Sequence, residues 1–314
     1  MLTGKSRQLD RIMMDICFIV LNYNGFQETS TLVDSFRNWD SKLFTFGVVV
    51  VDNCSTDSSF SQLQERFSNT EYVDVIRSEN NGGYSYGNNF GARFAVEHYH
   101  PEYIAIANPD IQVDQTTVAQ LLKTFLADDK IAAAAPVMKN LSGGFSIGAT
   151  RLPEYEDDLR ACWTEKPPRN AKPAPRKTVE GYPSYLLTET LTGSFFVVRS
   201  SSFLDVGMLD ENTFLFCEER ILGFRMKQKG YTMVVRTDLF FVHAHSVTIK
   251  KVYDTIGTWK LIWQSRLYYE KEYIHASYIK LLFLKMNSVY FLHNLAIRMY
   301  LYQWKTKLLK ENRG

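Results

Sequence analysis

The chain has 314 residues, of which 45% are hydrophobic and 22% charged, and its formal net charge at pH 7 is +2. This length allows one large domain plus an appendage, and the nearly balanced charge argues against nucleic acid as a partner. The four cysteines show neither paired nor metal-like spacing, which predicts reduced thiols and a cytoplasmic protein. Residues 1–11 are polar, so we expect residues 1–14 to form an extension without a signal peptide.

The first third of the chain alternates buried strands with helices. An apolar run at residues 16–21 stops at Asn22-Tyr23-Asn24-Gly25 and is followed by a helical pattern from about Phe26 to Phe36. A second run, the valines 48–51, ends at Asp52 and leads into another helix, which Ser55 or Asp57 can cap. The continuous valine run is typical of a strand buried on both faces, and the alternation predicts a parallel βαβ sheet.

A flexible loop follows the third predicted strand, residues 73–76. It includes the glycine pair Gly82 and Gly83 and precedes a helix that is predicted to begin near Tyr86. Glycines let backbone amides approach a ligand closely, and a helix N-terminus attracts anions. The loop is neither a P-loop nor a Gly-x-Gly-x-x-Gly motif, so on its own it is a weak signal.

The fourth predicted strand, residues 103–107, ends at Asn108-Pro109-Asp110. Ligands of open α/β sheets bind outside the carboxyl ends of the strands, so Asp110 is expected to face the ligand crevice. One carboxylate beside a neutral amide can hold a hard divalent cation that waters and substrate phosphates complete. Taken alone, the same residues also form an ordinary Asx turn, but the neighbouring strand ends favour the ligand site.

Residues 147–188 combine an acidic run, 154–158, with a proline-rich stretch, 166–177. We expect no regular helix or sheet in this segment. Long irregular segments are usually active-site lids or linkers, and we favour a mobile acceptor-binding loop.

Two groups of titratable residues follow in the second half. Glu218 and Glu219 are candidates for a general base, although two acids in the first turn of a helix are also favoured by the helix dipole. His243 and His245 end a short predicted strand at alternating positions, hence on one face. They could lie near a diphosphate or a metal, or simply bind backbone groups.

The last segment, residues 251–314, is predicted to be helical and is rich in aromatic residues and cations. Charged residues interrupt every apolar run, so no transmembrane helix is expected. Two alternatives remain open: peripheral contact with a membrane interface, or packing against the catalytic domain or a second copy in an oligomer.

In their order, these motifs resemble glycosyltransferase family 2, the inverting nucleotide-sugar transferases, especially the bacterial rhamnosyltransferase-like members. The resemblance spans roughly residues 15–246. It implies an α/β architecture of the A-type glycosyltransferase fold, with a mixed, mainly parallel sheet flanked by helices. The catalytic domain would be residues 15–250, followed by a helical C-terminal appendage at 251–314.

The resemblance also implies a donor site and a metal site. The nucleotide-sugar-binding residues would be Leu21, Asn22, Asn24, Asp52, Asn81, Gly82, Gly83, Asn88, Asn108 and Asp110. Asp110 matches the last acid of the family's Asp-x-Asp motif, which holds Mg²⁺ or Mn²⁺ against the diphosphate, and Asn108 replaces the first acid. His243 would be a second metal or diphosphate neighbour.

Acceptor binding would fall to Thr192, Gly193 and Ser194, and catalysis to Glu219, which takes the place of an Asp in the family's Glu-Asp-x-Asp-Leu pattern. Ile221 departs from that pattern, and Glu218 is the alternative base. The implied reaction moves a sugar from dTDP-rhamnose or a UDP-hexose to a saccharide or lipid-linked saccharide acceptor, in O-antigen or capsule assembly. The competing hypothesis is a catalytically silent nucleotide-sugar-binding or assembly protein of the same fold.

Overall fold

A computed structural model describes residues 14–147, 151–164, 176–244 and 254–311, apart from the side chains of 303 and 305–311. The strands in this part of the chain are β1 (Ile16–Asn22), β2 (Phe46–Asp52), β3 (Val73–Arg77), β4 (Tyr103–Ala107), β5 (Ile111–Gln112), β6 (Ile131–Asn140), β7 (Phe145–Ser146), β8 (Arg176–Lys177), β9 (Tyr185–Thr188), β10 (Phe195–Arg199) and β11 (Thr232–His243). The helices are α1 (Phe26–Ser35), α2 (Ser59–Phe67), α3 (Tyr84–Tyr99), α4 (Gln115–Thr124), α5 (Tyr155–Ala161), α6 (Ser200–Asp205), α7 (Glu218–Gln228), α8 (Thr255–Glu272) and α9 (Tyr278–Glu311).

The strands form one mixed sheet in the order β3-β2-β1-β4-β10-β6-β11-β9-β8. The first four are parallel, and the register places Asn22, Asp52 and Arg77 side by side at their carboxyl ends. β10 runs antiparallel between β4 and β6, and β5 pairs with the end of β11. The predicted βαβ arrangement of the N-terminal half is therefore confirmed.

Two apolar layers sandwich the sheet because its central strands are buried on both faces. One layer includes Leu32 of α1, Leu63 of α2 and Leu121 of α4. The other includes Ala92 of α3 and Met226 of α7. Successive valines of β2 alternate between these layers, which explains why the strand reads as a continuous apolar run.

The expectation that residues 147–188 lack regular structure is wrong for residues 155–161, 176–177 and 185–188, which form a helix and two short strands. The acidic run forms helix α5, whose start is a capping box between Glu154 and Asp157. Acids at a helix N-terminus satisfy free amides and complement the dipole, so this run marked a helix start. β9 then pairs with β11, and β8 with β9. Residues 165–175, with most of the prolines, lie outside the described residues.

Three smaller boundaries also differ from the predictions. α3 begins at Tyr84, two residues before Tyr86. α2 begins at Ser59, whose amide donates to the Asp57 carboxylate over 2.9 Å, whereas the Ser55 hydroxyl accepts a hydrogen bond from the Asn24 amide. β11 has 12 residues and is not a short strand. His245 lies outside the described residues.

The C-terminal helices pack on the catalytic domain. The Ser265 hydroxyl of α8 donates to the Leu215 carbonyl over 2.8 Å. Trp263 of α8 and Leu284 of α9 are buried together with Tyr155 and Cys162. The packing alternative is thus confirmed for α8 and one face of α9. Across the described residues, none of the helices combines the length and the apolar character that crossing a membrane requires.

Candidate active site

The carboxyl ends of β1 and β2 form a buried polar cluster. The Asn22 side-chain amide donates to Asp52 over 2.8 Å and to Ser55 over 3.2 Å, and Thr29 donates to the Asn22 carbonyl oxygen over 2.8 Å. The other Asp52 oxygen accepts the Ser55 amide over 3.0 Å. Asp52 is fully buried, so its carboxylate is held in place by these hydrogen bonds.

Arg77 stands beside this cluster at the end of β3. Its Nε lies 3.5 Å from Asp52, and its side chain remains 42% exposed. The guanidinium also donates to the Ser55 carbonyl over 2.9 Å. Arg77 therefore places a partly exposed cation at the carboxyl edge of the sheet.

The glycine loop is shaped by close backbone contacts. Gly83 has φ +93°, and a Cβ there would lie 2.1 Å from the Phe214 carbonyl oxygen. The Asn81 side chain accepts the Gly83 amide over 3.2 Å and the Asn53 amide group over 2.9 Å. These contacts fix the loop at the N-terminus of α3, the helix end where the sequence predicts an anion.

Other predicted donor-site residues pack around the glycine loop and the start of α3. A Cβ on Gly87 would lie 2.3 Å from Leu21 Cδ1, and a Cβ on Gly82 would collide with Tyr86, so both glycines allow close packing. The Asn88 side chain donates to the Tyr84 carbonyl over 2.9 Å. Asn24 accepts the Thr56 amide over 2.9 Å.

The turn after β4 brings Asp110 to His243. His243 Nε2 lies 3.1 Å from Asp110 Oδ1, and both side chains are about nine-tenths buried. The pairing of β5 with β11, including a hydrogen bond from the Ala244 amide to the Asp110 carbonyl, creates this contact. The Asn108 amide donates to the Ser194 carbonyl over 2.8 Å, which links the turn to the predicted acceptor segment.

These residues fit a divalent metal that is shared with a ligand. Within the described ranges, no group of three or more His, Cys, Asp or Glu side chains could hold a metal ion. Asp110 and His243 supply one carboxylate and one imidazole, and Mg²⁺ sites commonly use one or two carboxylates plus waters and substrate phosphates. A bound diphosphate would complete such a site.

Glu218 and Glu219 open helix α7 on the other side of residues 192–194. Two successive residues with left-handed backbone, Phe216 and Cys217, turn the chain sharply before them. A Cβ on Gly193 would lie 2.3 Å from Glu219 Oε1, so the absence of a side chain at Gly193 admits the carboxylate. Tyr84 donates to the Gly193 carbonyl over 2.5 Å.

Burial makes this carboxyl pair a weak acid. Desolvation, followed by the neighbouring Glu219 charge, raises the pKa of Glu218 to about 8. Desolvation also raises the pKa of Glu219, against a lowering by hydrogen bonds from its own amide and from that of Gly193. Glu218 is 4% exposed and its Oε1 has no hydrogen-bond partner among the described residues, whereas Glu219 is half-buried. Because its pKa is raised to about 8, we place a proton on Glu218 near neutral pH.

An ion cluster lies behind this pair. Arg220 donates to Asp158 of α5 over 2.7 Å, and Arg266 of α8 lies 3.5 Å from the other Asp158 oxygen. Asp158 is 1% exposed. The cluster ties α5, α7 and α8 together.

The predicted residues thus fall into two connected halves. Asn22, Asp52, the glycine loop and Asp110 line the carboxyl edge of the sheet, and Glu218 and Glu219 stand beyond residues 193–194. Sequence reasoning missed Arg77 and Tyr84. Arg77 follows an apolar strand just as Asp52 does, so the same rule could have found it. Tyr84 gives no comparable signal, because its contact with Gly193 spans 109 positions.

Comparison with known sequences identifies a family and individual relatives. The family described as Glycosyl transferase family 2 matches residues 17–204. The low-salt glycan biosynthesis hexosyltransferase Agl10 of Haloferax volcanii is 26% identical over 69% of this chain and 62% of its own length. An N-acetylglucosaminyl-diphospho-decaprenol L-rhamnosyltransferase of Mycobacterium tuberculosis is 27% identical over 63% of this chain and 67% of its own. This chain therefore matches less than two thirds of the Haloferax enzyme.

Solved structures share the fold at low identity. A mannosyltransferase of Pyrobaculum calidifontis in complex with GDP-Man and Mn²⁺ has a TM-score of 0.56 and 16% identity, covering 91% of this chain and 76% of that one. TarS of S. aureus, residues 1–349, has a TM-score of 0.51 and 17% identity, covering 80% and 64%. The architecture is the A-type glycosyltransferase fold, as the sequence predicts.

Proposed function

This chain belongs to glycosyltransferase family 2, and we propose that it is an inverting glycosyltransferase that uses a nucleoside-diphosphate sugar. The observation that carries the proposal is the placement of two chemically distinct groups around residues 193–194. Asp110 pairs with His243 in the turn that a hydrogen bond from Asn108 ties to Ser194. Glu219 lies against the neighbouring Gly193. A transferase needs such a division, because one group must hold the departing diphosphate while another activates the acceptor.

The donor would bind at the carboxyl edge of the sheet. Its nucleoside would lie over Leu21, Asn22 and Asp52, where a base or ribose would share the Asp52 carboxylate with the Asn22 amide. Its diphosphate would face the N-terminus of α3 and the Asn108–Asp110 turn. Asp110 and His243 would hold Mg²⁺ or Mn²⁺, which when bound supplies positive charge against the leaving diphosphate.

The chemical step would be a single displacement. The acceptor oxygen bonds to the anomeric carbon as the bond from that carbon to the diphosphate oxygen breaks, which inverts the configuration. Glu219 receives the proton of the acceptor hydroxyl. Glu218 remains protonated beside it, so that one negative charge rather than two occupies the buried pair.

The acceptor class is supported by the names of the relatives. Those names describe glycan biosynthesis and a diphospho-decaprenol acceptor. We therefore propose a saccharide or lipid-linked saccharide acceptor, held beside Thr192, Gly193 and Ser194, in cell-surface polysaccharide assembly. For the donor we propose dTDP-rhamnose, with a UDP-hexose as the second choice.

A two-stage experiment tests this function. Thermal shift with dTDP, UDP and GDP, each with and without Mn²⁺, should give metal-dependent stabilisation by one of these nucleotides. Incubation with the matching nucleotide sugars should then release free nucleoside diphosphate. Stabilisation without any release, even with lipid-linked saccharides added, would instead favour the catalytically silent binding protein.

A further inference from the structure

Helix α9 has two apolar faces, and only one of them packs against the protein. Its inner face carries Leu284 and Ser288, which are 0% and 3% exposed. On the same side Phe291 contacts Trp259, with ring centroids 4.8 Å apart. The inner face therefore explains how the helix is held.

The outer face is directed away from the protein. We define it by six large side chains that are each between 45% and 78% exposed: Ile279, Leu282, Met286, Val289, Tyr290 and Tyr300. The first four are three or four residues apart, and at 3.6 residues per turn Tyr290 and Tyr300 fall on the same side of the helix. Only His293 interrupts this exposed apolar stripe. A stripe of this kind normally marks an interaction surface.

The charge of this segment indicates the partner. Residues 273–310 contain six Lys or Arg and no Asp or Glu, whereas the whole chain has a net charge of only +2. The rest of the molecule is therefore net acidic, and the positive charge is concentrated on the last helix. On a helical projection, Lys285 flanks one edge of the outer face, whereas Lys280 and Arg298 lie nearer the inner face.

Nearby acids are already compensated. Lys280 lies 3.8 Å from Glu156 of α5, and Arg151 lies 2.7 Å from Asp157. The exposed Trp163, two residues after the end of α5, contacts Tyr290, with ring centroids 5.2 Å apart. Tryptophan and tyrosine are the residues that favour the boundary between lipid and water.

We propose that the outer face of α9 lies flat in the interface of a bilayer that carries anionic headgroups. A stripe of apolar and aromatic side chains, bordered by Lys285 on a helix rich in cations, matches both the acyl boundary and the negative surface. A second copy of this chain fits less well, because a two-fold contact through α9 would bring two basic helices together. This inference does not depend on the proposed transfer activity.

Flotation of the full chain tests the proposal with two vesicle types: pure phosphatidylcholine, and phosphatidylcholine mixed with phosphatidylglycerol. We expect recovery with the mixed vesicles at low salt. Leu282→Gln combined with Met286→Gln should weaken vesicle binding by at least about tenfold, since it removes apolar area that the bilayer would bury. Lys285→Gln should weaken it about fivefold at low salt and little at high salt. Gln has a helix propensity close to that of Leu, Met and Lys, so these exposed changes should leave the fold intact.

The matched control is Leu126→Gln, which changes a leucine that is 64% exposed outside the C-terminal helices. It should float like the wild type. The proposal is overturned if the wild type stays in solution with both vesicle types, or if the double variant floats as well as the control. Sedimentation showing a dimer that the double variant dissociates, without any vesicle binding, would assign the face to a second copy instead.

Discussion

At the scale of single residues, the chemistry depends on two adjacent carboxyl groups in different surroundings. Glu218 is almost fully buried and has a raised pKa of about 8, while Glu219 is half-buried and rests against Gly193. A general base must be ionised and must reach solvent-borne substrate. The geometry therefore favours Glu219 as the base and Glu218 as its protonated neighbour.

The first prediction separates these two roles. Glu219→Gln should lower the transfer rate by about 10²–10⁴-fold, because the acceptor proton loses its receiver. Glu218→Gln should retain most of the activity, since a neutral amide resembles the protonated acid. Acceptor-dependent nucleotide release measures the rate, and calorimetry with the nucleotide confirms that donor binding is unchanged. A larger loss in Glu218→Gln than in Glu219→Gln would reverse the assignment.

The second prediction concerns pH and stability. The unfolded chain releases the Glu218 proton near the ordinary pKa of 4.5, whereas the folded protein retains it to about 8. The unfolded state binds fewer protons in this window, so Glu218 lowers stability as pH rises from 4.5 to 8. Glu218→Gln should match the wild-type Tm near pH 4.5 and exceed it by a few degrees near pH 8. The exposed Glu71→Gln serves as control, and an equal pH response in both variants would contradict the assignment.

Much of the donor edge could be predicted from sequence, because a polar residue directly after an apolar strand has a fixed place in a parallel sheet. Asn22, Asp52 and Asp110 follow from that rule. The contact between Asp110 and His243 does not, since it spans 133 positions and depends on β5, a strand of only two residues. The full burial of Asp52 could not be predicted either, because the hydrogen bonds with Asn22 and Ser55 that compensate for it leave no mark in the local sequence.

At the scale of elements, the N-terminus of α3 depends on one backbone approach. Gly83 combines a left-handed φ with a carbonyl that would lie 2.1 Å from any Cβ. Because the obstacle is backbone, no side-chain rotation can relieve it. The helix start, the glycine loop and the segment before Glu218 are therefore fixed to one another.

Gly83→Ala is the third prediction. It should lower the free energy of unfolding by at least about 2 kcal/mol beyond the cost of holding an alanine at a positive φ. It should also weaken nucleotide binding. Gly143→Ala is the matched control: its φ is +85°, yet no atom lies within 4 Å of its added Cβ, so only the backbone cost of about 1–2 kcal/mol remains. Chemical denaturation and nucleotide titration measure both effects, and equal losses would show that the close contact is unimportant.

Within residues 147–188, helix α5 and strands β8 and β9 form where the sequence predicts no regular structure. The acidic run at residues 154–158 lacks apolar periodicity, so its pattern gives no helix signal. The capping box at Glu154 and Asp157 is the feature that defines the start of α5. β8 and β9 are short and gain their pairing from β11, which no local pattern reveals. The proposed role of this segment in acceptor binding stays a prediction.

At the scale of the whole molecule, the buried Asp158 joins the catalytic helix to the C-terminal appendage. From its own position on α5 it pairs with both Arg220 of α7 and Arg266 of α8. Three elements that are far apart in sequence therefore share one charge cluster. Their docking should depend on this single carboxylate.

The fourth prediction follows from that dependence. Asp158→Asn should lower the free energy of unfolding by about 3–5 kcal/mol, because it leaves two largely buried guanidinium groups without their carboxylate. Glu156→Gln on the same helix breaks only an exposed pair with Lys280 and should cost at most about 1 kcal/mol. Urea denaturation compares the two variants. Similar midpoints would mean that the cluster contributes little.

The position of β10 has a consequence for how the chain folds. β4 can complete its hydrogen bonding only when residues 195–199 arrive, nearly 90 positions later, and β6 depends on β10 and on β11 later still. During synthesis the emerging N-terminal half therefore exposes an unpaired strand edge, which is prone to aggregation. Such nonlocal pairing also makes closure of the sheet slow. The nascent protein is most vulnerable after β4 has formed and before β10 closes the central gap.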